Sequence, residues 1–274
     1  MSEQDNPRAI LCPSCKRLIS ANAEECVYCG MKNPNLWGLG GVLRKILGGQ
    51  ITFIPVITAI CIVYYVLSLL VDPSNIRLAL GFDFLGPSFD SLSKLGATGT
   101  VPMSLGYWWS VITAIYLHGG ALHIFFNLYW LQQLGPPLEE FFGVSRTFII
   151  FTVAGVLGFL VSNFFSIPFT IGASGSNFGL LAALIYYGRK RGGTFGQAIY
   201  RQVGQWAIVL FAMGFLFPGI NNWAHAGGFV GGWLTAALLG FSEIKPENRM
   251  HLLLALAALT ITVLAFVLAL LQLF

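Results

Sequence analysis

The chain has 274 residues, 56% of them hydrophobic and 9% charged, with a mean hydropathy of +0.74, which excludes an ordinary soluble globular domain. The net charge of +4 comes from Lys and Arg near the ends of apolar runs, so it reports on topology and gives no reason to expect nucleic acid as a partner. Lipid is the expected solvent for most of the molecule.

At the N-terminus, Met1 to Arg8 is polar, carries two acids and leads into a cysteine-bearing segment, so no cleavable signal is expected. Residues 1–32 form a small head containing Cys12-Pro13-Ser14-Cys15 and Cys26-Val27-Tyr28-Cys29-Gly30, two CxxC pairs ten residues apart. That spacing suits two turns whose thiolates, Cys12, Cys15, Cys26 and Cys29, converge on one structural zinc ion; a pair of disulfides or redox motifs is the alternative. A closed four-cysteine shell leaves no open position for chemistry, so the head is expected to act structurally or to dock a cytoplasmic protein partner. A linker follows at 33–50, rich in glycine.

Apolar runs at 52–71, 107–134, 147–168, 174–188, 202–218, 222–241 and 251–273 give seven candidate spans of a hydrocarbon core roughly 30 Å thick. Arg44, Lys45, Arg146, Arg189, Lys190, Arg191, Arg201, Lys245 and Arg249 all fall on one side if the N-terminus is cytoplasmic, as the positive-inside bias requires. The opposite side receives the 72–106 loop, with only Arg77 and Lys94, and short turns near 168–173 and 217–222. Phe82, Phe84, Leu85, Phe89 and Leu92 suggest that the long loop lies in the outer interface. Cys61, alone in the first span, reads as a small apolar residue.

Asp and Glu are absent from the span interiors, the nearest being Glu139 and Glu140 at the cytoplasmic end of the second run, so a proton-coupled transporter and a Ser-His-Asp triad are both disfavoured. Polar groups do enter the spans: His118 and His123 in the second, with Asn127 at i+4 from His123 on the same helical face, and His225 in the sixth; His251 is interfacial. Interhelical hydrogen bonding alone would also account for them. Gly172-Ala173-Ser174-Gly175 opens the short fourth span, where a serine is either reachable for chemistry or an N-cap. At ~1.5 Å per residue, Ser174 lies ~22 Å above Arg189, His225 ~24 Å above Phe241 and His123 ~18 Å above Gly135, similar depths on three helices. Gly175, Gly179 and Ala183 on the fourth span, with Gly228, Gly232 and Ala236 on the sixth, form small-residue stripes. A close crossing there would bring Ser174 within hydrogen-bonding reach of His225.

These residues together, His118-(x4)-His123-(x3)-Asn127, Gly172-Ala173-Ser174-Gly175 and Ala224-His225-Ala226-Gly227-Gly228-(x3)-Gly232, resemble the rhomboid family of intramembrane serine proteases in order, spacing and span assignment. The resemblance covers about 51–241 and implies an all-α polytopic membrane protein: a six-helix rhomboid-like protease core, with residues 242–274 as a cytoplasmic loop and extra seventh span, preceded by the zinc ribbon. It implies Ser174 as nucleophile, His225 as general base, and His123 and Asn127 as oxyanion donors, with no cofactor for catalysis. It further implies transmembrane protein substrates and an active site opening to the outer face of the cell membrane. His118 matches a structural position, and Phe178 one where an aromatic ring packs on the catalytic imidazole. Where the family carries Trp-Arg, this chain has Trp109-Ser110, lacking the guanidinium that organises the first outer loop. A catalytically inactive rhomboid-like scaffold that binds membrane helices is the alternative.

Overall fold

The computed structural model describes residues 9–12, 15, 17–20, 23–30, 52–78, 81–217 and 219–273. The N-terminal stretch before Ala9 and the linker expected at 33–50 lie outside the described residues. Contacts divide the chain into two units, Met1–Thr52 and Phe53–Phe274.

In the first unit, β1 (Ala9–Leu11) pairs antiparallel with β2 (Leu18–Ser20), Ala9 opposite Ser20. Cys12 N–H donates to the Arg17 carbonyl at 2.9 Å, closing the turn that carries the first CxxC pair, and Gly30 N–H donates to the Cys26 carbonyl at 2.9 Å, closing the second. Gly30 has φ +70°, which a side chain would oppose. Cys12, Ile19 and Cys26 form the small buried core of this unit.

The second unit is all-α. Among its described residues, seven helices run 18 to 24 residues: α1 (Phe53–Val71), α5 (Ala121–Phe142), α6 (Val144–Phe164), α7 (Ser174–Arg191), α8 (Gly193–Leu216), α9 (Asn222–Leu239) and α10 (Arg249–Leu271). Three short helices, α2 (Phe89–Lys94), α3 (Thr100–Ser104) and α4 (Ser110–Thr113), precede α5. Four helices, α1, α6, α8 and α10, are each long and apolar enough to cross a membrane, which makes this a polytopic membrane protein. The two 18-residue helices α7 and α9 are central and rich in small residues.

The second apolar run is not one helix. It breaks after a 3-10 turn at Ala114–Tyr116, and the segments on either side are bent by 92°. Leu117 is extended and the His118-Gly119-Gly120 run has poor helix propensity, so α5 starts only at Ala121. At its other end α5 runs past Gly135 through Pro136 and Pro137 to Phe142. Gly135, from which the depth of His123 is counted, is therefore not the end of α5; His123 stands ~28 Å from the far end of the helix at Phe142. His118 lies in the break, fully buried, rather than on a spanning helix.

α9 packs against both α6 and α7 through glycine. A Cβ on Gly228 would run into the Gly175 carbonyl, one on Gly232 into the backbone of Gly179, and one on Gly158 would stand 2.6 Å from the Ala224 carbonyl oxygen. The small-residue stripes thus meet backbone to backbone, with α6 as a third partner. At the far end, the buried Arg146 guanidinium caps the C-termini of α5 and α9, donating to the Phe142 carbonyl and, at 3.0 Å, to the Gly240 carbonyl. It also donates to the Lys245 carbonyl at 2.7 Å and to Ser242 Oγ at 2.9 Å, fixing the α9–α10 connection. Glu139 accepts from Phe53 N–H at 2.6 Å, a carboxylate at the positive N-terminus of α1.

Candidate active site

Ser174 is the first residue of α7, His225 the fourth of α9 and His123 the third of α5. Each lies in the first turn of its helix, and the three N-termini, each a positive dipole end, come together at one place. Depth alone does not produce this convergence; the helix starts do.

Ser174 does not cap its helix. Ala173 is the N-cap residue and no side chain caps there, while Ser174 Oγ lies 2.9 Å from His225 Nε2. His225 is 6% exposed, and its ring stacks on Phe178 with centroids 4.3 Å apart and planes 18° apart. Its other nitrogen, Nδ1, is buried without a protein partner among the described residues, so no acid stands behind the imidazole. The start of α9 is fixed by Asn221, whose Oδ1 accepts from Ala224 N–H at 3.1 Å. Its Nδ2 donates to Ser162 Oγ at 2.6 Å and Thr170 Oγ1 at 3.0 Å. Those bonds tie the turn that carries His225 to α6 and to the segment before Ser174.

His123 and Asn127 face the same space. Gly119 N–H donates to His123 Nδ1 at 3.1 Å, so the neutral ring carries its proton on Nε2. Asn127 Nδ2 donates to the His123 carbonyl at 3.0 Å, while Asn177 Nδ2 reaches Asn127 Oδ1 at 3.3 Å and the Asn127 carbonyl at 3.0 Å. Gly172, two residues before Ser174, has φ +113°. A Cβ placed on it would stand 2.7 Å from His123 Nε2 and 3.8 Å from Asn127 Nδ2. The missing side chain leaves a small cradle bordered by His123 Nε2 and Asn127 Nδ2, two residues before Ser174. His118 is a neighbour of this set, its ring centroid 5.2 Å from that of His123 and its Nδ1 3.2 Å from the Tyr116 carbonyl oxygen.

The 72–106 segment is built around a different arginine from the one missing at Ser110. Arg77 donates to the Pro87 carbonyl at 3.0 Å, to Asp83 at 2.7 Å and to the Gly119 carbonyl at 3.0 Å, with its guanidinium 4.7 Å over the Phe89 ring. Gly119 is thus held from both sides, by Arg77 at its carbonyl and by His123 at its N–H. The Phe84 carbonyl accepts from Ala121 N–H at 2.7 Å and satisfies one of the unpaired donors at the start of α5. Ser110 is buried and donates to Thr98 Oγ1 at 2.9 Å. Sequence reasoning missed Asn177, Asn221 and Gly119. Only Asn221, an asparagine just before an apolar helical run, carries a local signal.

In the first unit, the sulfurs of Cys12, Cys15, Cys26 and Cys29 all lie within 4.8 Å of one another, a cluster able to hold a metal ion. The Cys12–Cys29 and Cys15–Cys26 sulfurs are 3.7 Å apart, far beyond the ~2.05 Å of a disulfide.

The family model for the Rhomboid domain matches residues 105–242, half of the chain. The chain is 34% identical over 154 residues to the Rhomboid protease GluP of Bacillus subtilis (strain 168), covering 56% of this chain and 30% of that protein. RHOMBOID-like protein 5 of Arabidopsis thaliana is 34% identical over 160 residues, 57% of this chain and 52% of its own length. Inactive RHOMBOID-like protein 8 of the same plant is 32% identical over 170 residues, 60% of this chain and 47% of its own. The chain thus spans between 30% and 52% of the length of these curated relatives. A match of that extent, in relatives that share about a third of their aligned residues with it, makes this chain a member of the rhomboid family.

Proposed function

We propose that this protein is an intramembrane serine endopeptidase that hydrolyses peptide bonds in or near transmembrane segments of other membrane proteins through a Ser174–His225 dyad. The observation that carries this reading is the 2.9 Å contact between Ser174 Oγ and His225 Nε2 at the meeting point of three helix N-termini. His225 Nε2 takes the Ser174 proton as Oγ attacks the scissile carbonyl, and the oxygen of the tetrahedral intermediate gathers negative charge. Nε2–H of His123, the free Nδ2–H of Asn127 and the unpaired N–H of Ser174 stabilise that charge with fixed neutral donors. His225 then delivers the proton to the leaving amine, and water, deprotonated by the same nitrogen, releases the acyl group.

The N-terminus is cytoplasmic, as the distribution of Lys and Arg favours, and the site opens to the outer face. A substrate helix must unwind locally to be cut, because a continuous helix shields its peptide bonds. In the head, zinc is the metal best matched to the four thiolates: a tetrahedral ion with ~2.3 Å bonds to sulfur separates its ligands by ~3.8 Å, close to the 3.7 Å found for two pairs. The zinc is structural, and the head docks a cytoplasmic protein. The competing reading is a non-cleaving scaffold, favoured by the relative whose name marks it as inactive; Ser174 and His225 within hydrogen-bond distance weigh against it.

A fluorophosphonate probe separates the two readings. Wild type is expected to take it up at Ser174 and Ser174→Ala to remain unlabelled. Equal labelling of the two proteins would contradict the nucleophile assignment.

A further inference from the structure

Asn177 belongs to none of the motifs that carry the family resemblance, yet it touches one of the two oxyanion donors proposed above. It lies three residues after Ser174 on α7 and is 5% exposed, as is Asn127 on α5. Its Nδ2 reaches two acceptors on Asn127, the backbone carbonyl at 3.0 Å and side-chain Oδ1 at 3.3 Å. Two acceptors at one position require the NH2 end of Asn177 there, since its oxygen would face two others. The same logic then fixes Asn127. Turned over, its amide would direct Nδ2 at the Asn177 NH2 and Oδ1 at the His123 carbonyl, which it now meets with Nδ2 at 3.0 Å. Both ends of the Asn127 amide are thereby specified, leaving its second N–H for the cradle beside Gly172.

We infer that Asn177 is a positioning residue: it touches no reacting atom and acts by holding the Asn127 amide with its donor toward the developing oxyanion. The inference rests on the dyad mechanism for its catalytic meaning, and on geometry alone for the Asn127 orientation. Asn177→Leu keeps the branched shape and heavy-atom count of the side chain, with somewhat more bulk, and removes the donor; Asn177→Ser shortens the side chain and serves if the leucine variant does not fold.

The test is a double-mutant cycle on cleavage of a single-span substrate with wild type, Asn177→Leu, Asn127→Ala and the double variant, together with the side-chain amide NMR signal of Asn127, assigned through its loss in Asn127→Ala. Asn177→Leu is expected to lower kcat about tenfold with KM within about twofold, less than the ~10²-fold that loss of an oxyanion donor costs. On the Asn127→Ala background it is expected to cost nothing further, and in the single variant the Asn127 amide signal is expected to shift. A kcat loss that multiplies with Asn127→Ala, a rise in KM at unchanged kcat, or an unmoved amide signal would overturn the inference. If wild type cuts nothing, the protease reading falls, and the amide signal still decides whether Asn177 holds Asn127.

Discussion

A serine hydroxyl is a weak nucleophile at neutral pH, and what surrounds Ser174 determines where its proton and the later negative charge can go. Under the proposed mechanism, three helix N-termini favour negative charge at the cradle and oppose an imidazolium at His225, whose Nδ1 has no acid to balance it among the described residues. In that mechanism stabilisation falls on the oxyanion, which makes Gly172 a sensitive position although it carries no side chain. Gly172→Ala puts a Cβ 2.7 Å from His123 Nε2 at a φ of +113°. It is expected to lower kcat by about 10²-fold or more, the scale of a lost oxyanion donor, with KM changed far less, as steady-state kinetics would show. At this scale the sequence was informative where chemistry repeats by spacing. Glycine stripes predicted a close approach of Ser174 and His225, and the two groups stand at hydrogen-bond distance. Asn177 and Gly119 were not legible, because their partners lie on other segments and hydrogen-bond direction has no periodic signature.

Among the elements, the glycine contact of α6, α7 and α9 sets the spacing of the dyad. Gly228→Val forces a branched side chain against the Gly175 carbonyl. It is expected to cost at least ~1–3 kcal/mol, the usual penalty for overpacking, and to separate Ser174 from His225, so that both thermal stability in detergent and probe labelling fall. The turn after α9 offers a pH-dependent counterpart. Hydrogen bonds from Tyr187 (2.6 Å) and Arg191 (3.0 Å) hold the exposed Glu243 carboxyl below the usual carboxylate range. That contribution is present above the unfolded-state pKa of about 4.3 and is lost as pH falls through the lower folded value. Glu243→Gln is therefore expected to flatten the fall in melting temperature between about pH 6 and about pH 3. The broken second run shows what apolarity conceals. Residues 107–134 read as one hydrophobic stretch, and only the bend at His118-Gly119-Gly120 reveals a helix that starts at Ala121. Glycine pairs tolerate a break without dictating one, and the bonds that stabilise this break, from Arg77 and Phe84, come from a distant segment.

The whole molecule consists of a small cysteine-bearing unit and a helical unit of separate construction. Because the cysteine cluster and the dyad share no element, Cys12→Ser combined with Cys15→Ser is expected to abolish bound metal while leaving probe labelling of Ser174 within about twofold of wild type; metal analysis beside labelling checks both halves. The all-α membrane character was legible because the chain carries continuous apolar runs of helix-spanning length, where a β-barrel would alternate apolar and polar residues. Helix α7 is the least apolar of the long helices, since it exchanges bulk for backbone contact and carries polar groups of the site. The most direct test of the central claim is cleavage of a single-span substrate in liposomes by wild type, Ser174→Ala and His225→Ala. Cleavage by wild type alone is the predicted result, and cleavage that survives in Ser174→Ala would contradict the dyad.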